Sequence, residues 1–440
     1  MSGVNTIRLK MIEFPVAEIK LGARSGYASG RLTVDRQRIE NSVLQEKRIE
    51  AAWLDVVAPG DKVRITGIRD VIEPRVKTSG SGQVFPGVLG AVESVGAGRT
   101  HRLSGMAVFV TAEYEGTVRA GLGVQRSTIL DMWGTGAEAS PFSGLRGLVL
   151  NLRLAEGLSE LTAHAIIQRA VLETAKQLAE TTIGLDSEHS QVFELGNSEP
   201  DLPNVLLIQG CLTDSPNPHS GVSYYGLPIR DSLATLVHPN EFLDGAFTMY
   251  ATRSIAYFPV TWDWQNHPML LGLYREHGKR LNFAGVILER IRFDTFHGKQ
   301  VIAHNTAELA AQLNADAALV SWLGSGNAFV DVMLTIRACE RRGIRTTLMT
   351  YEYGGKDGVD SPLLFYTPEA DAITSTGSRD RWIEMPEADK VIGPYEEIKV
   401  LSYPGAPLTP ARESFTLDAR DMIVGGVDYW GRQSWACKAY

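Results

Sequence analysis

Two acidic residues and a glycine-rich loop stand where a strand-helix protein gathers its ligands. Thr346–Tyr351 reads as a strand that runs into Glu352-Tyr353-Gly354-Gly355-Lys356-Asp357-Gly358. Glu352 and Asp357 thereby fall just beyond a strand's carboxyl end, where open α/β sheets hold ligands. Glu352 is the candidate general base or amine-binding group, with Asp357 beside it. Pairing with Lys356 or Arg345 in a surface loop is the other reading of Glu352. One strand earlier, Ala317–Ser321 leads through Trp322 into Leu323-Gly324-Ser325-Gly326-Asn327. Gly324, Ser325, Gly326 and Asn327 precede a helical stretch and are candidates to bind a carboxylate or phosphate on free backbone N–H groups. The loop is neither a full GxGxxG nor a P-loop, and turn geometry alone also asks for glycine there.

Cys211 follows the strand-like run Val205–Gln209, with Asp214 and His219 after it. Cys211 and His219 are catalytic candidates by that placement. The Cys-Asp-His spacing is no recognised metal motif, and the nine His residues include no HExxH. No metal is expected. Cys339 lies in a helical stretch and reads as a small buried side chain. Trp262-Asp263-Trp264 brackets an acid with two indoles, which suits a small amine through cation–π contact or an ordinary subunit contact.

These residues need a scaffold. From Val205 onward, apolar runs (Val205–Gln209, Phe283–Leu288, Ala317–Ser321, Thr346–Tyr351, Ala372–Ser375) alternate with helical stretches (Pro268–His277, Thr306–Leu313, Val330–Arg341). That alternation predicts α/β architecture, a doubly wound and mostly parallel sheet. Residues 1–150 carry short β-branched runs (Lys62–Ile68, Met106–Glu113, Ser127–Met132) cut by Gly, Pro and Ser, which predicts a β-rich N-terminal domain. Residues 151–440 form the α/β region, with a subdomain split near 250. Ser159 opens an amphipathic helix that carries His164 as a packed side chain, with Gly184 near its exit. The Gly-rich segment 77–90 is long for a loop in a compact domain and invites a functional reading.

Composition narrows the function. A chain of 440 residues that is 44% hydrophobic and 21% charged has ample core. A net charge of −8 and a pI near 5.7 argue against nucleic acid or an anionic membrane as partner. Three cysteines without CxxC spacing argue against a disulfide framework. Charged residues interrupt the first twenty positions and no run reaches about 20 apolar residues, so neither signal peptide nor membrane span is expected and the reading is cytoplasmic.

Asp70-Val71-Ile72-Glu73-Pro74-Arg75-Val76-Lys77, Phe85-Pro86-Gly87, Gly96-Ala97-Gly98-Arg99-Thr100, Asp244-Gly245-Ala246, Tyr274–Lys279, Gly324–Asn327, Arg342–Thr346, Glu352–Gly358 and Lys390–Gly393 occur in one order along the chain. In these stretches the chain resembles the precursor subunit of protein B of the glycine, sarcosine and betaine reductases, with the D-proline reductase precursor a more distant relative. The resemblance implies reductive cleavage of a C–N bond in a small amino-acid-like compound. It implies a second reductase subunit carrying selenocysteine or Cys, and a hetero-oligomer. It also marks Glu73 and Arg75 as candidate substrate-binding residues. The family precursor cuts itself at an Asn-Cys pair and converts the Cys to a pyruvoyl group. In register through Asp244-Gly245-Ala246, that pair falls on Ala251-Thr252. Thr252 could make the acyl shift or act as an N-terminal nucleophile, but elimination would leave a 2-oxobutyryl group. The expectation is an uncleaved chain, a subunit of a two-component enzyme acting on a C–N bond without the keto group. The alternatives are a keto-group reductase subunit processed at Thr252 or Ser254, and a non-catalytic scaffold for a catalytic partner.

Overall fold

The computed structural model describes residues 7–113, 128–196, 198–213, 221–250, 256, 258–324, 326–351, 365–376, 382–401, 407–417, 420–432 and 436–437. The chain is a mixed α/β protein with several sheets.

The largest sheet has seven strands: β1 (Asn204–Leu212), β2 (Ala234–Val237), β3 (Asn282–Ile291), β4 (Ala317–Trp322), β5 (Arg345–Thr350), β6 (Ile373–Ser375) and β7 (Ala436–Cys437). Their spatial order is β2-β3-β1-β4-β5-β6-β7. The pairs β3–β1, β1–β4, β4–β5 and β5–β6 are parallel, while β2 and β7 pair antiparallel at the two edges. β1 is buried along nearly its whole length, as a central strand covered on both faces must be. This explains its unbroken apolar run Val205-Leu206-Leu207-Ile208.

Helix α1 (Glu160–Ala179) follows the N-terminal region. Ser159 caps it by accepting from Thr162 N. Helix α2 (Thr261–Gln265) and helix α3 (Pro268–Glu276) precede β3. Helix α4 (Phe296–Gln312) joins β3 to β4, and helix α5 (Ala328–Glu340) joins β4 to β5. α4 and α5 are joined across their first turns by a buried ion pair, Lys299 to Asp331.

The first 154 residues supply seven of the eight strands of two four-stranded sheets, and two of the three strands of a smaller sheet built on Val63–Ile65. Their pairing reaches beyond that region. Ser190–Glu194 lies antiparallel on Arg8–Ile12, and Lys390–Ile392 lies parallel to Val63–Ile65. Arg64, fully buried against Asp131, donates to Ala411 O at 2.6 Å and Pro386 O at 2.7 Å. α1 packs its buried face into the core of these N-terminal sheets. Among the described residues no helix is long and apolar enough to cross a membrane.

Candidate functional site

The carboxyl ends of β1, β4 and β5 come together around Leu212. β4 ends at Trp322, whose Nε1 donates to Thr350 Oγ1 at the end of β5 (3.2 Å). Gly324 has φ +132°, and a Cβ there would lie 3.0 Å from Ala328 Cβ and 3.4 Å from Leu212 Cδ2. Glycine therefore lets the loop after β4 lie against the end of β1. The Tyr351 hydroxyl donates to Gly324 O, which joins the exits of β4 and β5. On the other side, Gly221 (φ +123°) comes so close that a Cβ would sit 2.6 Å from Leu212 O. Gly221 O in turn accepts from Tyr250 N at 3.1 Å.

Tyr250 follows the short strand Phe247–Met249. The residues that flank positions 250–260 are tied together by one hydroxyl. Thr261 Oγ1 accepts from Met249 N (3.0 Å) and donates to Asp70 Oδ2 (2.5 Å), while Thr261 N donates to Asp70 Oδ1 (2.8 Å). Burial pushes the Asp70 carboxyl up to about 7, against the lowering effect of its bonds from Thr261 and Val71. From the opposite side, Gln168 of α1 donates to Met249 O (3.0 Å) and Thr248 Oγ1 (3.1 Å). His164, one turn earlier, packs edge-on against the Tyr250 ring, centroids 4.9 Å apart.

Near these bonds lies a buried brace. Arg75 pairs with Glu73 through Nε (2.8 Å) and Nη2 (2.5 Å), and Nη2 also donates to Gln265 O (3.1 Å) and Asn266 Oδ1 (3.0 Å). Arg75 Nη1 donates to Leu243 O. Glu73 N and O each bond the Gln265 side chain. Next to it, Asp244 accepts from Lys77 Nζ, Gly96 N (2.7 Å) and Thr100 Oγ1 (2.5 Å). The stretches Asp70–Lys77, Gly96–Thr100 and Asp244–Ala246 thus meet in one polar network.

The predicted site residues that the structure describes fall at separate points of this region. Cys211 is fully buried on β1, and burial, with Glu289 nearby, pushes its thiol far above the ordinary range. Gly324 stands at the strand edge, and Gly326 and Asn327 are exposed at the head of α5. Glu73 and Arg75 are 3% and 1% exposed, with protein partners on every side. Thr252, His219, Ser325, Glu352 and Asp357 lie outside the described residues. Trp262 receives its cation from the chain itself: Arg432 sits 4.5 Å from its ring centre and pairs with Asp263. No group of three or more potential metal ligands gathers among the described residues. Thr261, Gln168 and Tyr250 were not singled out by the sequence. Asp70 was, but only as part of a motif, since its partner is 191 residues away.

The family described as glycine/sarcosine/betaine reductase component B subunits matches residues 7–430. The chain is 31% identical over 398 residues to the glycine reductase complex component B subunits alpha and beta of Acetoanaerobium sticklandii, covering 88% of this chain and 89% of the relative. It is 30% identical over 431 residues to the sarcosine reductase complex component B subunit alpha of Peptoclostridium acidaminophilum, covering 95% and 96%. The betaine reductase complex component B subunit alpha of the same organism is 31% identical over 402 residues, covering 89% of each chain. No solved structure matches the chain.

Proposed function

The chain belongs to the family of glycine/sarcosine/betaine reductase component B subunits, and on that premise we propose that it is one subunit of a multi-component enzyme acting on a C–N bond of a small amino-acid-like or nitrogenous compound. The observation that carries this reading is the length of the match, 7–430, which spans both flanks of the 250–260 loop. The substrate is proposed to sit at the carboxyl edge of the parallel strands, between the Gly324–Asn327 loop and the segment that follows Tyr351. Glu352 and Asp357 are proposed to receive its charged nitrogen, and a second reductase-type subunit to complete the reaction. The parallel order β3-β1-β4-β5-β6, which places the second parallel strand in sequence outside the first, supports a doubly wound sheet with its switch point beside β1.

A Cys-derived pyruvoyl group does not fit this chain. Residues 251–255 are Ala, Thr, Arg, Ser and Ile. Cys211 and Cys339 are buried within a strand and a helix, and Cys437 lies in the edge strand β7. We therefore derive no step through a keto group.

The intact mass of the purified, denatured protein tests this. The expected result is one species near 48.1 kDa. Two fragments with a break before Thr252 or Ser254, the second with a keto-sized mass deficit, would instead make it a self-processed reductase subunit. The role of Glu352 is tested by Glu352→Gln in the complex assembled with its second component. Loss of C–N cleavage with the complex intact is expected, and unchanged activity removes Glu352 from the site.

A further inference from the structure

A groove of ≈580 Å³ lies along α1 and ends at Tyr250. A second hollow of ≈300 Å³ continues it and shares Glu46, Ile166 and Arg169. Residues four apart on a helix stand in line. On α1 the row His164–Gln168 grips Tyr250 and Met249, and the neighbouring row Leu161–Ala165–Arg169 floors the groove. The floor is apolar at one end, with Leu161 45% exposed, and cationic at the other.

The opposite wall is built at a cost in backbone strain. Only four described non-glycine residues have positive φ, and two of them, Phe85 (+58°) and Tyr225 (+51°), shape the two turns of this wall. The turns meet backbone to backbone: a Cβ on Gly87 would lie 2.0 Å from Tyr225 O, and one on Gly226 2.9 Å from Gly87 O. The Phe85-Pro86-Gly87 motif, which the brace and the sheet edge leave unused, is thereby spent on shaping the groove.

The state of each charged group decides what the groove can take, since Glu46 lines both hollows and Glu173 the second. No described carboxylate pairs with Arg169. Glu46 is taken up by Arg48 through Nε (2.8 Å), Nη2 (2.7 Å) and the backbone N (3.1 Å). Glu173, one turn on, is engaged by Gln177 (3.2 Å) and Lys176 (3.8 Å). Arg169 acts on Glu46 through its charge without forming an ion pair, so its fork of donors stays unengaged by any described carboxylate, the geometry that receives a carboxylate. The volume lies in the range of about 300–1,000 Å³ typical of drug-sized ligands, far more than glycine, sarcosine or betaine fills.

We propose that this groove binds an organic carboxylate with an apolar body, its carboxylate on Arg169, its body along Leu161 and Ala165, and its far end at Tyr250. The proposal is independent of the C–N chemistry above, and it is measured without turnover.

The test is calorimetric titration of the full-length protein with sodium 4-phenylbutyrate, sodium acetate and 4-phenylbutan-1-ol. Phenylbutyrate is expected to bind more tightly than either the body-less acetate or the uncharged alcohol. Arg169→Gln, at an exposed helical position, is expected to weaken phenylbutyrate about tenfold, the worth of a hydrogen bond to a charged group. Leu161→Glu is expected to remove binding by placing a negative charge on the floor. No phenylbutyrate binding, a preference for acetate or the alcohol, or an Arg169→Gln protein that binds like the parent overturns the proposal.

Discussion

Thr261 and Asp70 form a two-point contact, with the Thr261 backbone N–H on one carboxylate oxygen and its hydroxyl on the other. The same hydroxyl accepts from Met249 N, so the residues on both flanks of positions 250–260 are joined at a single atom. Asp70→Ala removes the acceptor and leaves a buried hydroxyl and N–H without their partner, a cost of about 1–3 kcal/mol. Thr261→Val leaves Met249 N orphaned as well. Both variants are expected to speed hydrogen exchange at the Met249 and Thr261 amides while the β1 and β3 amides stay protected. Equal protection in variant and parent would show that the loop is held elsewhere.

Two buried acids make stability depend on pH in an unusual direction. Burial raises Asp70 from 3.8 to about 7 and Glu289 from 4.5 to about 8. Glu289 retains a hydrogen bond from Thr335. In acid both groups are protonated in the folded and unfolded chain alike and contribute nothing. As pH rises from about 4 to about 8, the unfolded chain releases these protons first, so their contribution turns against the folded state and levels off above the folded values. Asp70→Asn and Glu289→Gln are therefore expected to gain melting temperature relative to the parent as pH rises through this window. Thermal melts at stepped pH check it, and a difference that does not change with pH would mean that the acids titrate at their ordinary values.

Cys211 and Cys339 are both fully buried, and burial pushes each thiol up. The thiolate is the reactive form. Neither cysteine is expected to react with an aromatic disulfide reagent in the native protein, and both should react on denaturation. Peptide mapping after native labelling reads this directly. A labelled Cys211 would return it to the list of nucleophiles.

Five of the seven strands were readable because they are short apolar runs bounded by turns, while the antiparallel edge strands β2 and β7 were not. The expected Val205–Gln209, Ala317–Ser321 and Thr346–Tyr351 correspond to Asn204–Leu212, Ala317–Trp322 and Arg345–Thr350. Ser159 was readable as a cap because capping is local. The first half of α4 was not. Its opening, Phe296-His297-Gly298-Lys299-Gln300, turns a charged residue inward, and Lys299 enters the core because Asp331 of α5 awaits it. An apolar-periodicity reading passes over a helix whose buried face carries a lysine. The N-terminal sheets were legible as strands but not in their extent, since Ser190–Glu194 and Lys390–Ile392 join them by pairing that leaves no local trace. The site region was legible as motifs, while the joints that organise it, Asp70–Thr261 and Lys77–Asp244, exist only once the chain is folded.

The Glu73–Arg75 pair separates a structural role from a substrate-binding one. Both side chains are buried, and Arg75 spreads its donors over Glu73, Leu243, Gln265 and Asn266. Removing Arg75 leaves buried Glu73 with only the longer contact to Arg102 at 3.9 Å, and breaking a buried pair costs up to about 3–5 kcal/mol, whereas replacing both by apolar residues of similar size is far less costly. Arg75→Met is therefore expected to lower stability sharply, and Glu73→Leu with Arg75→Met to recover part of the loss. That is a coupling of the kind a double-mutant cycle measures, and denaturant melts of the four proteins supply it. A group that instead bound substrate would show little coupling in stability and a raised KM in the assembled enzyme. Because Arg75 Nη2 and Nη1 hold the carbonyls of Gln265 and Leu243, on either side of the 250–260 loop, the single variant is also expected to loosen that loop. Faster exchange at the Met249 and Thr261 amides in Arg75→Met, partly reversed in the double variant, would place the pair in the frame of the site. Unchanged exchange would confine it to the brace alone.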